Sequence, residues 1–429
     1  MTSKPKAGVK ISNLIKWNNY LDRVSIDGKP LVPFANQLAF LRSPELEILY
    51  GGGTRGGKMS PVETQVVTPF GLRKLGDLKV GDKISTPDGS AATVIQIHEH
   101  GEKDVYNVTF TDGRSLEVGL EHLWKIKKTR KNQRKSNKNG EGGWFIADTD
   151  WIIKHMGNDA GYNIAVPLTE AVKFTKTYKY DMMPISPYVL GALIGDGCLM
   201  NETISLTTAD EEMIENFKLE GLEPKYINES ERNGTGVVKY QVYYNGEVVE
   251  GIKKLGLYGK YSYEKFIPKY YKYASVEDRI SLIQGLMDTD GYVDDRGHLS
   301  YTTTSEQLAK DVQWVIRSLG GMATITTKVP TYTYEEIKKE GRIAYTVWIQ
   351  IKDKDRLVRL SRKKERCKDK KYIGGFQDPS LTIEKIEYSR KAVCRCITIS
   401  HVDGLYLAGD FIVTHNSFSL LMAAAQYVD

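Results

Sequence analysis

A phosphate-loop motif broken in two most constrains what this chain can fold into. Gly51 to Lys58 reads GGGTRGGK. Such a loop needs G-x-x-x-x-G-K followed at once by Ser or Thr. Its glycines let backbone N–H groups wrap phosphates, its lysine neutralises charge, and the hydroxyl holds Mg²⁺. Gly52, Gly57 and Lys58 fit, but the next residue is Met59, which cannot ligate a hard metal ion. Far downstream, Asn416 is followed by Ser417 and the apolar, Ala-rich run FSLLMAAAQYVD. That run suits the helix that follows a phosphate loop. Removing Met59 to Asn416 joins ILYGGGTRGGK to SFSLLMAAAQYVD and restores a strand–loop–helix unit.

The inserted block opens as a β structure. Pro61 to Asp88 alternates apolar and polar residues around Gly and Asp turns (VETQVVTPFG, LGDLKVGD, TPDGS). Strands are expected at 91–98 and 105–110, then a hairpin at Thr111-Asp112-Gly113 and a strand into Trp124. Residues 382–415 read the same way, and closely spaced short strands argue for an all-β unit. Four cysteines, Cys198, Cys367, Cys394 and Cys396, show no paired C-x-x-C spacing, which argues against a structural zinc site.

The downstream boundary carries specific chemistry. The Asn416 side-chain amide can attack its own backbone carbonyl and cleave the chain. His415 can supply the proton that the leaving amine needs, and Ser417 is a hydroxyl nucleophile poised to receive an upstream acyl group. With LYLAGDFI before VTHN, and GLEHLWKI placing His122 after the first β segment, the block resembles inteins along its length. The resemblance implies a horseshoe-like (Hint-type) all-β splicing domain, split by an insertion, in which His122 activates the upstream junction. Two departures stand out: Met59 occupies the place of the usual Cys or Ser nucleophile, and Gly119 that of the usual Thr. The class 3 subgroup of inteins lacks the first nucleophile and carries a Trp, Cys and Thr triplet. Trp124, Cys396 and Thr414 match it. The subgroup implies that Cys396 attacks the Lys58 carbonyl, the acyl chain passes to Ser417, and Asn416 then cyclises, with no cofactor. Two alternatives are a class 1 intein whose first Cys is replaced by Met, and an endonuclease with splicing lost.

Two further segments, VLGALIGDG (Val189 to Gly197) and IQGLMDTDG (Ile283 to Gly291), are apolar helices ending in Asp-Gly. Small residues four apart, Gly191/Gly195 and Gly285/Thr289, let two helices pack backbone to backbone. That packing brings Asp196 and Asp290 together as a site for hydrated Mg²⁺. The pair resembles the repeated motifs of LAGLIDADG homing endonucleases. This implies an α+β domain of two pseudo-symmetric halves in one monomer, with sheets saddling double-stranded DNA. Strands are expected at 203–207, 237–244, 299–304, 323–327 and 344–351. The family's catalytic lysines map to Lys265 in KFIP and Lys363 in SRKKER. The DNA target implied is the uninterrupted host gene.

Upstream, Asn36-Gln37 and the segment 38–50 resemble the entry to the ATPase domain of phage large terminase subunits, with Gln37 at the adenine-contacting place. The flanks are thus expected to be α/β phosphate-loop fragments of an ATPase that binds ATP and Mg²⁺ once joined. The expected organisation is flank 1–58, splicing domain 59–127 plus 375–416, endonuclease 181–374 and flank 417–429. Residues 128–180 are assigned to a basic linker or DNA-contacting extension, with elaboration of the splicing domain left open. The run Lys125 to Lys138 holds eight Lys or Arg and no acid, suiting either solvent or a polyanion. No stretch approaches the ~18 apolar residues of a membrane span. A polar, basic N-terminus with no apolar signal core leads us to expect an intracellular protein, and the terminase resemblance implies the cytoplasm of a phage-infected or lysogenic bacterial cell.

Overall fold

The computed structural model describes residues 58–130, 143–156, 162–175, 182–200, 204–222, 226–231, 238–243, 246–334, 337–368, 380–401 and 403–415. It also describes a short pair of strands, Ser25–Ile26 and Lys29–Pro30. Gln37, Gly52, Gly57, Asn416, Ser417 and the rest of the 417–429 flank lie outside the described residues.

In chain order, the first segment gives β1 (Ser60–Pro61), β2 (Gln65–Thr68), β3 (Gly71–Lys74), β4 (Lys83–Ser85), β5 (Ala91–Phe110), β6 (Ser115–Val118), β7 (Leu123–Arg130), β8 (Phe145–Asp148), α1 (Thr149–His155) and β9 (Tyr162–Pro167). The middle gives α2 (Pro187–Asp196), β10 (Gly197–Cys198), β11 (Ser205–Thr208), α3 (Glu211–Leu219), β12 (Tyr226–Glu231), β13 (Val238–Tyr243), α4 (Gly246–Lys254), α5 (Lys269–Lys272), α6 (Val276–Thr289), β14 (Gly291–Val293), β15 (Leu299–Thr303), α7 (Glu306–Ser318), β16 (Met322–Lys328), β17 (Thr331–Tyr334), β18 (Ile337–Glu340), β19 (Ala344–Gln350) and α8 (Ser361–Lys368). The last segment returns to strands: β20 (Ser380–Ile399), β21 (Leu405–Ala408) and β22 (Ile412–His415).

First and last segments interleave. One antiparallel sheet runs β8-β7-β9-β20-β5-β4, and a second runs β22-β21-β2-β3. Their apolar faces share a core that includes Val66, Phe110, Val118, Trp124, Ile126, Ile397 and Ile412. Alternation put those side chains on one face, because strand residues two apart point the same way.

Two expectations change. Residues 91–98 and 105–110 are not separate strands but parts of one long strand, β5. It pairs with β20 through four register shifts, and such bulges bend a strand without ending it. Residues 145–148 and 162–167 do not form a linker: β8 and β9 both hydrogen-bond β7, and β9 also bonds β20. The stretch elaborates the β unit. The early lysines of the basic run rest on aromatic rings, with Lys128 Nζ 4.4 Å from the Tyr162 ring and Lys127 Nζ 4.9 Å from that of Trp144.

The middle segment repeats one topology. Its sheets run β10-β11-β13-β12 and β14-β15-β19-β16, each entered from a long helix, α2 or α6. The second copy adds the hairpin β17–β18. Helix starts follow local rules: Pro187 opens α2, where a missing N–H costs nothing, and Ser275 caps α6 by accepting from the Asp278 amide. The halves share a core around Tyr188, Leu193, Leu282, Leu286, Val315 and Ile316. The expected strands in both halves appear within a residue or two. No helix among the described residues is long and apolar enough to cross a membrane.

Candidate functional site

The residues expected at the upstream junction lie inside the β unit. Met59 packs beside Val105, Ala392 and Cys394, and its carbonyl accepts from the Gly119 amide at 3.0 Å. His122 begins the approach to β7 and is fully buried. Its Nε2 meets the Thr414 hydroxyl from β22. Its ring sits edge-on to Trp124, with centroids 5.1 Å apart. Nδ1 makes no bond of good geometry, although the Met59 backbone is close enough to favour the imidazolium slightly. Burial, then the charges of His415 and Lys58, push His122 down to about 3. The imidazole is therefore neutral across the physiological range, able to accept a proton or relay one.

Trp124 and Thr414 are both completely buried. The indole N–H donates to Thr149 Oγ1 at 3.0 Å, and Thr149 in turn donates to the His122 carbonyl through its hydroxyl and its amide. Thr149 belongs to the stretch that joined the sheet through β8, and sequence reading missed it. No spacing pattern signals a hydroxyl that reaches back across a sheet.

Cys396 sits on β20, buried, with Sγ 3.6 Å from the Ile397 carbonyl. Its neighbours by electrostatic contact include Lys58 and Tyr406. Burial lowers the Lys58 ammonium, and Cys396 opposes that shift. Nearby Cys394 is different: burial, then Glu63, push its thiol up to about 11, which keeps it protonated and poorly nucleophilic. His415 is buried at the end of β22, paired across from Leu405. Lys58, Met59, His122, Trp124, Cys396, Thr414 and His415 therefore gather in one region from both ends of the segment 58–415.

A second constellation lies at the paired helices. A Cβ built on Gly191 would stand 2.1 Å from the Leu282 carbonyl oxygen, and one on Gly285 2.1 Å from that of Tyr188. Only glycine permits this approach. The helices end at Asp196 and Asp290, both exposed. Local desolvation, then the Asp196 carboxylate, raise Asp290, against the pull of Lys265 and Lys363. Two like charges held this close are relieved by a bound dication. Mg²⁺ takes few protein carboxylates and keeps several waters, so the donor set fits it. No group of three or more His, Cys, Asp or Glu that could hold a metal ion forms among the described residues, so the two aspartates stand as a pair.

The lysines take an unforeseen position. Lys265 Nζ donates to the carbonyls of Leu193, Gly195 and Gly197 at 2.8–3.2 Å. Lys363 Nζ donates to those of Met287, Asp288, Thr289 and Gly291 at 2.6–3.4 Å. Each closes the carbonyl end of one long helix, where the backbone dipole favours a cation. Burial lowers both to about 8. Tyr301, on β15, was not anticipated either. Burial, then the charges of Asp290 and Asp196, hold its phenol far above the usual range, and its hydroxyl has no partner among the described residues.

Residues 277–364 match the profile of a LAGLIDADG-like domain. Over 376 residues the chain is 27% identical to the replicative DNA helicase DnaB of Mycobacterium intracellulare, covering 84% of this chain and 59% of that protein. It thus spans less than two thirds of that relative. Among solved structures, the MchDnaB-1 intein is 28% identical, over 16% of this chain and 52% of that one, with TM-score 0.15. I-DmoI in complex with DNA and Mn is 16% identical over 41% and 93%, with TM-score 0.27. The chain is a multidomain protein that carries a LAGLIDADG-like domain at 277–364 and is similar in sequence, over 16% of its length, to an intein.

Proposed function

We propose that the chain excises Met59–Asn416 and joins Lys58 to Ser417, and that the excised block also cuts double-stranded DNA. One observation carries the splicing reading: His122 meets Met59 and Lys58 from the upstream junction and Thr414 and His415 from the downstream one. Residues so distant in sequence have no packing need to converge on a buried, neutral imidazole.

The chemistry follows from placement. The Cys396 sulfur attacks the Lys58 carbonyl; an S–C bond forms, the Lys58–Met59 C–N bond breaks, and the thiol proton passes to the Met59 amine. Neutral His122, fixed by Thr414, Trp124 and Thr149, relays that proton. The buried Lys58 ammonium favours the thiolate. The Ser417 hydroxyl then takes the acyl group and returns the thiol proton to sulfur. Asn416 closes on its own carbonyl and expels the Ser417 amine, protonated with help from His415. The freed amine attacks the Ser417 ester, leaving an ordinary peptide bond. No cofactor enters.

For the nuclease, Asp196 and Asp290 would hold hydrated Mg²⁺, which supplies charge stabilisation at a phosphodiester. Lys265 and Lys363 hold the helix ends that carry those aspartates. The substrate proposed is the uninterrupted host gene, and the protein works as a monomer with two internal halves. The host is proposed as a terminase-like ATPase on Gln37 and the Gly51–Lys58 loop. The similarity to DnaB favours a replicative helicase as a second reading, but it extends over far more residues than the flanks hold, so its weight falls on the insert.

Intact mass after expression of the full chain tests splicing. Excised insert and joined flanks are expected, and Cys396→Ala abolishes both. Full-length mass alone overturns the reading, and splicing restored by Met59→Cys then points to a class 1 ancestor.

A further inference from the structure

The strand that delivers Thr414 and His415 is held from both sides. Ile412 and Thr414 face the core and the His122 centre. Phe411 and Val413 face the other way, into a cluster with Val172, Phe174 and Leu407. Trp314 of helix α7, from the LAGLIDADG-like domain, closes that cluster: its ring lies edge-on to Phe411 at 5.0 Å and stacks on Phe174 at 6.0 Å.

The turn leading into β22 is strained. Gly409 has φ +55° and Phe411 φ +61°. The left-handed region is open to glycine but disfavoured for a bulky aromatic residue, and such strain persists only where the surroundings impose it. Two buried arginines impose it here. Arg114 donates from one nitrogen to the carbonyls of Asp410 and Phe411 at 3.3 and 3.4 Å, and from another to Gly321 of the LAGLIDADG-like domain at 2.8 Å. Arg317, one turn beyond Trp314 on α7, forms an ion pair with the Asp410 carboxylate and donates to the Asp112 carbonyl at 2.6 Å. Asp112 in turn pairs with Arg114 at 2.9 Å.

We propose that helix α7 is a working part of the splicing centre. Arg317 and Trp314 are positioning residues that hold the 409–411 turn and the register of β22, and thereby set the downstream junction for cleavage. The proposal rests on the splicing reading. It predicts a split between the two junctions. His122 is also fixed by Trp124 and Thr149, which α7 does not touch, so the upstream step survives loss of Arg317. The downstream step depends on β22 and does not.

The test uses the full chain and follows both junctions by intact mass, with hydroxylamine trapping the upstream thioester. In Arg317→Met and Trp314→Ala, downstream release falls at least about tenfold, as a displacement of under ~1 Å can cause. Upstream cleavage stays within about twofold, and Arg317→Lys recovers part of the downstream rate. Equal rates in variant and parent, or an equal fall at both junctions, overturn the proposal. Should Arg317→Met fail to fold, Asp410→Asn removes the same ion pair with little change of shape and is judged by the same split. A parent chain that releases no fragment overturns the splicing reading first, and this proposal with it.

Discussion

Replacing Gly191 or Gly285 by Ala gives a sharp test of how the two long helices hold the aspartates. Each new methyl would stand 2.1 Å from a carbonyl oxygen of the facing helix, whereas carbon contacts settle at about 3.5–4.0 Å. The neighbour on each side is backbone, so no rotamer change relieves the clash; the helices must separate by more than about 1 Å. Overpacking of this kind costs about 1–3 kcal/mol. Alanine's better helix propensity offsets about 1 kcal/mol, leaving a net loss of about 0–2 kcal/mol. One displacement serves both sites, so the double variant loses less than the sum. The larger effect is functional. Asp196 and Asp290 ride on the separating helix ends, and a shift of about 1 Å in a reacting group costs on the order of a hundredfold in rate. The assay is cleavage of a plasmid bearing the uninterrupted host gene, alongside thermal unfolding. Parental cleavage and unfolding in both single variants would refute the backbone-contact argument.

Three further outcomes are expected. Thr149→Val strips the buried Trp124 indole N–H of its acceptor, a loss of about 1–3 kcal/mol; calorimetry should register it, and splicing should slow because His122 loses its support. His122 titrates at about 3 folded against 6.5 for the free side chain. The unfolded state thus binds more protons between those values, so this group's contribution to stability is full above 6.5 and is lost as pH falls toward 3. Denaturant midpoints measured from pH 3 to 8 should show the slope and His122→Gln should flatten it, while no inflection in splicing rate between pH 7 and 9 should trace to this residue. Finally, Asp196→Asn and Asp290→Asn should each abolish DNA cleavage and leave splicing intact; cleavage retained by either variant removes it from the metal site.

Sequence alone marked the proposed ends of an insert. The broken loop, His415-Asn416-Ser417, and the two Asp-Gly helices are local patterns, and local patterns carry periodicity, turn chemistry and nucleophiles. It also located most strands of the LAGLIDADG-like domain to within a residue or two, since β-branched alternation is written directly in the chain. The position of 145–167 was decided by tertiary structure, because a strand's choice of partner depends on which sheet edge is free. The same holds for Thr149 beneath Trp124, for Lys265 and Lys363 on helix carbonyls rather than in open solvent, and for Tyr301 beside the aspartates. Arg317 is the clearest case. In sequence it is one more charge on an amphipathic helix; its meaning depends on Asp410, brought opposite only when two domains bury a strained turn between them.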